Sequence, residues 1–149
     1  MTCIAWDGRT LAVDSQASCE GRKKTVVKLR LQPGLAISWC GDHEQGLALA
    51  QWYVDGAKPE AYPPFQTKES FTELVVAFNG RCVHYEVLPI AQEVTEKFAA
   101  WGSGASLAIG AMAAGASARH AVAIACRFNI WCSEPVRSIS LDDDAISAV

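Results

Sequence analysis

Several classes of protein are excluded by what this sequence does not contain. No apolar run reaches the roughly 18 residues that a bilayer-spanning helix needs, because Arg119, His120 and Arg127 interrupt the longest small-residue stretch. The start, MTCIAWDG, has neither the basic n-region nor the apolar h-region of a secretory signal. Charge of one sign is scarce. Thirteen basic and 16 acidic residues leave a net charge of −3, which argues against nucleic acid or an anionic membrane surface as a partner. The three histidines and six cysteines show no CxxC or finger spacing, so no metal site is expected. Disorder is excluded as well, since only 19% of the residues are charged and 50% are hydrophobic. These absences leave a cytoplasmic, soluble chain whose residues 1–149 form one domain with a substantial core and a short acidic C-terminal tail.

Along the chain, TCIAWD (2–7) and TLAVDSQ (10–16) read as strands joined at Asp7-Gly8, a strong hairpin signal. The basic stretch CEGRKK leads into a third strand, TVVKLRL (25–31), and Pro33-Gly34 turns it into LAISW. In CGDHEQ, Asp42 as N-cap with Gln45 three residues later is a capping-box variant that starts a helix ending at Gly56. KPEAYPPFQTKES holds three prolines and no periodicity, so it reads as a connecting loop. ELVVAFN and RCVHYEVL form a second hairpin at Asn79-Gly80, and AQEVTEKFAAW is a further strand pair or an irregular segment. Residues 102–129 are rich in alanine and glycine and step as two helices broken near Gly115 and Ala116. EPVRSISL supplies a last strand, and Asp142, Asp143 and Asp144 belong to a solvated tail. Strands, helix, strands, two helices and a strand suit two antiparallel sheets covered by helices.

The chemistry is concentrated near the start. If Met1 is removed, Thr2 offers a hydroxyl nucleophile beside a free α-amine, whose ordinary pKa of about 7.7–8.0 lets it act as a base near neutrality. Asp14 ends the second strand, where the hairpin returns it toward the start of the first. Lys28 lies in the third strand. A lysine cation favours the alkoxide form of a neighbouring hydroxyl, and a carboxylate would hold that lysine in place. Otherwise the two form an ordinary surface ion pair. Gly41 follows an apolar strand and opens a helix, where backbone N–H groups suit a developing oxyanion.

Thr2, LAVDSQAS, VVKL, SWCGD and AWGSGA, in this order, resemble proteasome β-type subunits and their HslV-like bacterial relatives over most of the chain. The resemblance implies an α+β fold, the four-layer αββα sandwich of N-terminal nucleophile hydrolases. It also implies a threonine-type peptidase with Thr2 as nucleophile and base, Asp14 and Lys28 as its charged support, and Gly41 as oxyanion donor. Ser103 matches the serine near the terminal amine, while Gln16 and Ser18 match the start of the substrate-lining edge. Such proteins assemble as stacked rings, so the implied partners are copies of the chain itself and a peptide or unfolded protein substrate. A ring ATPase is a candidate partner, and no cofactor is implied.

One departure stands out. AIACRFNIWCS places Arg127 at or near the position where the family carries an aspartate supporting the amine, with Asn129 two residues on. An arginine there would oppose a protonated amine. Two rival readings therefore stay open, an inactive ring- or shell-forming scaffold of the same fold and a small-amide hydrolase using Thr2. Cys40, beside the oxyanion glycine, is a candidate for lining a substrate pocket or for packing. Cys3 is expected on the opposite strand face from Thr2. His43, His84 and His120 are expected in structural or surface roles.

Overall fold

A computed structural model describes residues 2–141; the acidic tail expected at Asp142–Asp144 lies outside the described residues. The chain forms β1 (Ile4–Trp6), β2 (Thr10–Val13), β3 (Gln16–Cys19), β4 (Arg22–Thr25), β5 (Leu29–Gln32) and β6 (Leu35–Cys40), then α1 (His43–Val54). There follow β7 (Glu73–Phe78), β8 (Arg81–Tyr85), β9 (Gln92–Glu93), β10 (Ala99–Trp101), α2 (Ala105–Ala113), α3 (Ala118–Phe128) and β11 (Arg137–Ser140). The first sheet has the order β10-β1-β2-β11 and the second the order β5-β6-β7-β8-β9, with β3 and β4 as a separate ribbon. All these pairings are antiparallel.

Alternation along the strands explains the layering. In β1 and β2 the large side chains Ile4, Trp6, Leu11 and Val13 point one way, into a cluster with Ala36, Val75, Ala77 and Cys82 of the second sheet. The small ones, Cys3, Ala5 and Ala12, point the other way and meet Ala108, Met112, Ala118, Ala121, Val122 and Ala125 of α2 and α3. The second sheet reverses the sizes. Its outer face carries Ile37, Trp39, Leu74, Val76, Val83 and Tyr85 against Leu49, Ala50 and Trp52 of α1. A Cβ on Gly46 of α1 would fall 2.0 Å from the Trp39 ring, so that helix seats directly on the indole. The result is helices, sheet, sheet, helix.

Several boundaries differ from the sequence reading. The strand expected over 10–16 stops at Val13. The Asp14 N–H still bonds Cys3 O at 3.1 Å, but the Cys3 N–H returns to the Asp14 carboxylate rather than to its backbone, and Ser15 leaves the ladder. Asp14 Oδ2 accepts the Gln16 N–H at 3.1 Å, and the Ser15 N–H donates to Ser133 O at 2.9 Å. The strand expected over 25–31 is also two strands, β4 and β5, with 26–28 between them. CEGRKK is half of the β3–β4 ribbon rather than a lead-in. The segment 91–101 contributes β9 to the second sheet and β10 to the first, so it is a crossing between layers. The breaks at Asp7-Gly8, Asn79-Gly80 and Gly115 stand where expected.

The N-terminus of α1 also refines its motif. Asp42 Oδ1 accepts the Gln45 N–H at 3.0 Å, as a capping box requires. The return arm is indirect, since the Asp42 N–H donates to Thr72 Oγ1 at 3.2 Å and that hydroxyl donates to Gln45 Oε1 at 2.8 Å.

Candidate active site

Thr2 sits at the end of the first sheet, 1% exposed. Its carbonyl accepts the Gly104 N–H at 3.2 Å and faces the Ser103 hydroxyl at 3.5 Å. Gly102 makes that approach feasible, because a Cβ there would lie 2.1 Å from Thr2 O and φ is +94°.

Asp14 and Lys28 come together on Thr2. Lys28 Nζ donates to Thr2 Oγ1 at 3.0 Å, to Asp14 Oδ1 at 2.8 Å and to Gln16 O at 2.7 Å. Three acceptors for three ammonium protons satisfy the cation fully. Both partners of the ion pair are essentially buried, Lys28 at 3% and Asp14 at 0% exposure. Asp14 is held in turn by backbone donors, the Cys3 N–H on Oδ1 at 3.0 Å and the Gln16 and Ser133 N–H groups on Oδ2, each at 3.1 Å. A buried ion pair is stable only when its remaining lone pairs and protons are satisfied, and here they are. The break between β4 and β5 is what lets Lys28 turn inward. Val26 N–H bonds Ser15 O at 2.8 Å and Val27 points outward.

A cleft of about 450 Å³ opens over this group, lined by Thr2, Lys28, Gln16, Ser18, Lys24, Gly41 and His43 among others. A larger cavity of about 790 Å³ beside Arg119, His120 and Glu134 contains none of the chemistry-bearing residues. Gly41 takes φ +133°, a conformation open to glycine alone at little cost. Gln16 and Ser18 line the cleft as expected, and Gln16 Nε2 donates to Ser18 Oγ at 3.1 Å. His43, on the wall, has its pKa lowered by burial and then by the Lys28 and Lys24 cations.

Two expectations need correction. Cys40 does not line the cleft; its half-buried side chain packs against the inter-sheet core, and its sulfur would lie 3.2 Å from a Cβ on Gly102. Burial pushes its thiol up, away from nucleophilic use. Ser103 stands beside Thr2, its hydroxyl 3.5 Å from the Thr2 carbonyl and 4.0 Å from Cys132 Sγ. Arg127 is exposed, its guanidinium 5.2 Å from the Phe128 ring. Asn129 is the residue of that segment that reaches the site, donating from Nδ2 to Ser103 O at 2.9 Å. The reason is helical phase, because α3 ends at Phe128 and the chain turns inward only beyond it.

Cys3 does lie on the opposite face, in the cluster beneath α2 and α3. Burial raises its pKa first, with Cys132, Asp14 and Cys126 adding to the effect. All six cysteines are free thiols. Among the described residues no group of three or more His, Cys, Asp and Glu could hold a metal ion. Ser133 went unseen in the sequence. It supplies an N–H to Asp14 from 119 positions away and a hydroxyl to Gln16 Oε1, and a backbone donor leaves no mark in residue type.

No protein-family model and no curated protein matches the sequence. Solved structures do. Thiobacillus denitrificans BPH, solved in complex with epoxomicin, aligns over 95% of this chain and 97% of its own at 21% identity and a TM-score of 0.71. Eukaryotic HslV from Trypanosoma brucei aligns over 95% and 98% at 19% identity and a TM-score of 0.69. An Anbu Gly-1 mutant from Hyphomicrobium sp. strain MC1 aligns over 95% and 82% at 13% identity and a TM-score of 0.72. The chain has the fold of the HslV-like and Anbu proteins. The αββα sandwich implied by the sequence motifs is thereby borne out. Among the described residues no helix is long and apolar enough to cross a membrane.

Proposed function

We propose that the chain is a threonine-type peptidase subunit, with Thr2 as nucleophile once Met1 is removed, working within a ring-shaped homo-oligomer. One observation carries this reading: Lys28 Nζ bridges Thr2 Oγ1 and Asp14 Oδ1 in a buried, fully satisfied triangle opening on a cleft. A structural ion pair has no need of a hydroxyl as its third corner. The ammonium lowers the cost of negative charge on Oγ1, and Asp14 holds the ammonium in place.

In this mechanism the freed α-amine takes the Thr2 hydroxyl proton as Oγ1 attacks the peptide carbonyl. The Gly41 N–H receives the oxyanion. Collapse of the tetrahedral intermediate breaks the C–N bond, and the amine-held proton passes to the leaving nitrogen. Water, deprotonated by the same amine, then hydrolyses the Thr2 ester and releases the acid. That Thiobacillus denitrificans BPH, which shares this fold, forms a complex with epoxomicin supports the reading that this chain binds a ligand as well. A cytoplasmic location, the ring and a ring ATPase partner belong to the same proposal.

Intact mass with an electrophilic peptide inhibitor tests it. Processed wild type is expected to gain one inhibitor mass at Thr2, Thr2→Ser to react more slowly, and Thr2→Ala not at all. Processed protein in intact rings that forms no adduct would leave the scaffold reading in possession.

A further inference from the structure

Gly41 has no side chain to restrain it, yet the proposed chemistry needs its N–H aimed at one point. Its neighbour across the sheet supplies the restraint. Cys40 pairs with Glu73 in the β6–β7 ladder, so the next step along brings Gly41 opposite Thr72. Thr72 is 1% exposed and packs directly on the glycine: a Cβ there would meet Thr72 Oγ1 at 2.8 Å, Cα at 3.1 Å and Cβ at 3.2 Å. Its hydroxyl also accepts the Asp42 N–H at 3.2 Å and donates to Gln45 Oε1 at 2.8 Å. Thr72 is itself clamped on both backbone groups by Gln66. The Thr72 N–H donates to Gln66 Oε1 at 2.8 Å, and Gln66 Nε2 donates to Thr72 O at 2.7 Å and to Glu86 O at 2.9 Å. The proline-rich connector that holds Gln66 is therefore a brace.

We infer that Thr72 is a positioning residue for the oxyanion glycine, with its hydroxyl and Gln45 fixing the Gly41–Asp42 peptide and Gln66 fixing Thr72. This rests on the reading of Gly41 as oxyanion donor. Losing the hydroxyl frees rotation about Gly41 without emptying any space, and a displaced donor lowers kcat more than binding.

Thr72→Val keeps the shape and removes the hydroxyl, Thr72→Ser keeps the hydroxyl, and Gln45→Leu removes its acceptor. The measurements are kcat and KM on a fluorogenic peptide and amide exchange of the peptide spanning 40–46, with melting temperature confirming the fold. Thr72→Val is expected to lower kcat roughly 10- to 100-fold at near-constant KM and to speed exchange in 40–46. Gln45→Leu should do the same more weakly, and Thr72→Ser should stay near wild type. An unchanged kcat in Thr72→Val overturns the inference, whatever the exchange shows. If wild type neither turns over nor labels at Thr2, the peptidase reading falls separately. Exchange in 40–46 that is equal in wild type and Thr72→Val then overturns the restraint as well.

Discussion

The two sheet–helix halves of the molecule solve one packing problem in opposite ways. Beneath α2 and α3 the first sheet presents Cys3, Ala5 and Ala12, and the helices answer with alanines. Beneath α1 the second sheet presents Trp39, Leu74 and Tyr85, and Trp52 sits edge-on to Tyr62 at 4.7 Å and to Tyr85 at 5.2 Å. The alanine half gains stability from close approach of backbones, the aromatic half from large buried surfaces. Adding atoms therefore harms the first half, and removing them harms the second. The chemistry lies where the halves meet, with Thr2 and Asp14 supplied by the first and Gly41 by the second. Lys28, just before β5, joins them.

Breaking that junction should have the largest effect. Lys28→Ala is expected to slow acylation of Thr2 by roughly 10³-fold or more, measured as the rate of inhibitor labelling. The fold should persist, because Asp14 keeps three backbone N–H donors. Labelling at the wild-type rate would remove Lys28 from the mechanism.

Within the halves, Trp52→Ala should cost about 3–5 kcal/mol in urea unfolding, since it empties the centre of the aromatic cluster. Ala121→Leu should cost about 1–3 kcal/mol by forcing α3 off the first sheet. The reciprocal pattern sharpens the contrast: if Ala121→Leu is neutral, the alanine half is looser than its contacts suggest.

The smallest effect concerns His43 at the cleft wall. Burial first, then Lys28 and Lys24, hold its pKa below the ordinary 6.5. The unfolded chain thus binds a proton at higher pH than the folded one. This contribution to stability is complete above 6.5 and is lost as pH falls from there through the folded pKa. Trp39 Nε1–H donates to His43 Nδ1 at 3.2 Å, and protonating that nitrogen breaks the bond. His43→Gln should lose less stability than wild type between pH 7 and pH 5, and equal losses would assign the pH dependence elsewhere.

Much of the fold was legible because periodicity and turn chemistry are local. Asp7-Gly8, Asn79-Gly80 and the Gly115 break each act within a few residues. The misread strands end where tertiary contacts take over: the Asp14 carboxylate accepts the Ser133 N–H, the Ser15 N–H bonds Ser133 O, and Lys28 Nζ turns to Thr2 and Asp14. The site divides the same way. Thr2, Asp14, Lys28 and Gly41 could be named from residue type and order. Ser133, Asn129 and Thr72 could not, because they act through a backbone N–H, a reach to a carbonyl or a relayed hydroxyl.

By itself the sequence determined the alternation of large and small side chains, the turns, the caps and the identities of the groups able to do chemistry, since these depend on residue type and near neighbours. Only the tertiary structure decided that Lys28 Nζ reaches Thr2 and Asp14 together, that Cys40 turns inward and Arg127 outward, and that Thr72 backs Gly41. Each of these depends on the phase of one element relative to another. That phase is set by how the sheets and helices fill their shared volume, a property no single segment contains.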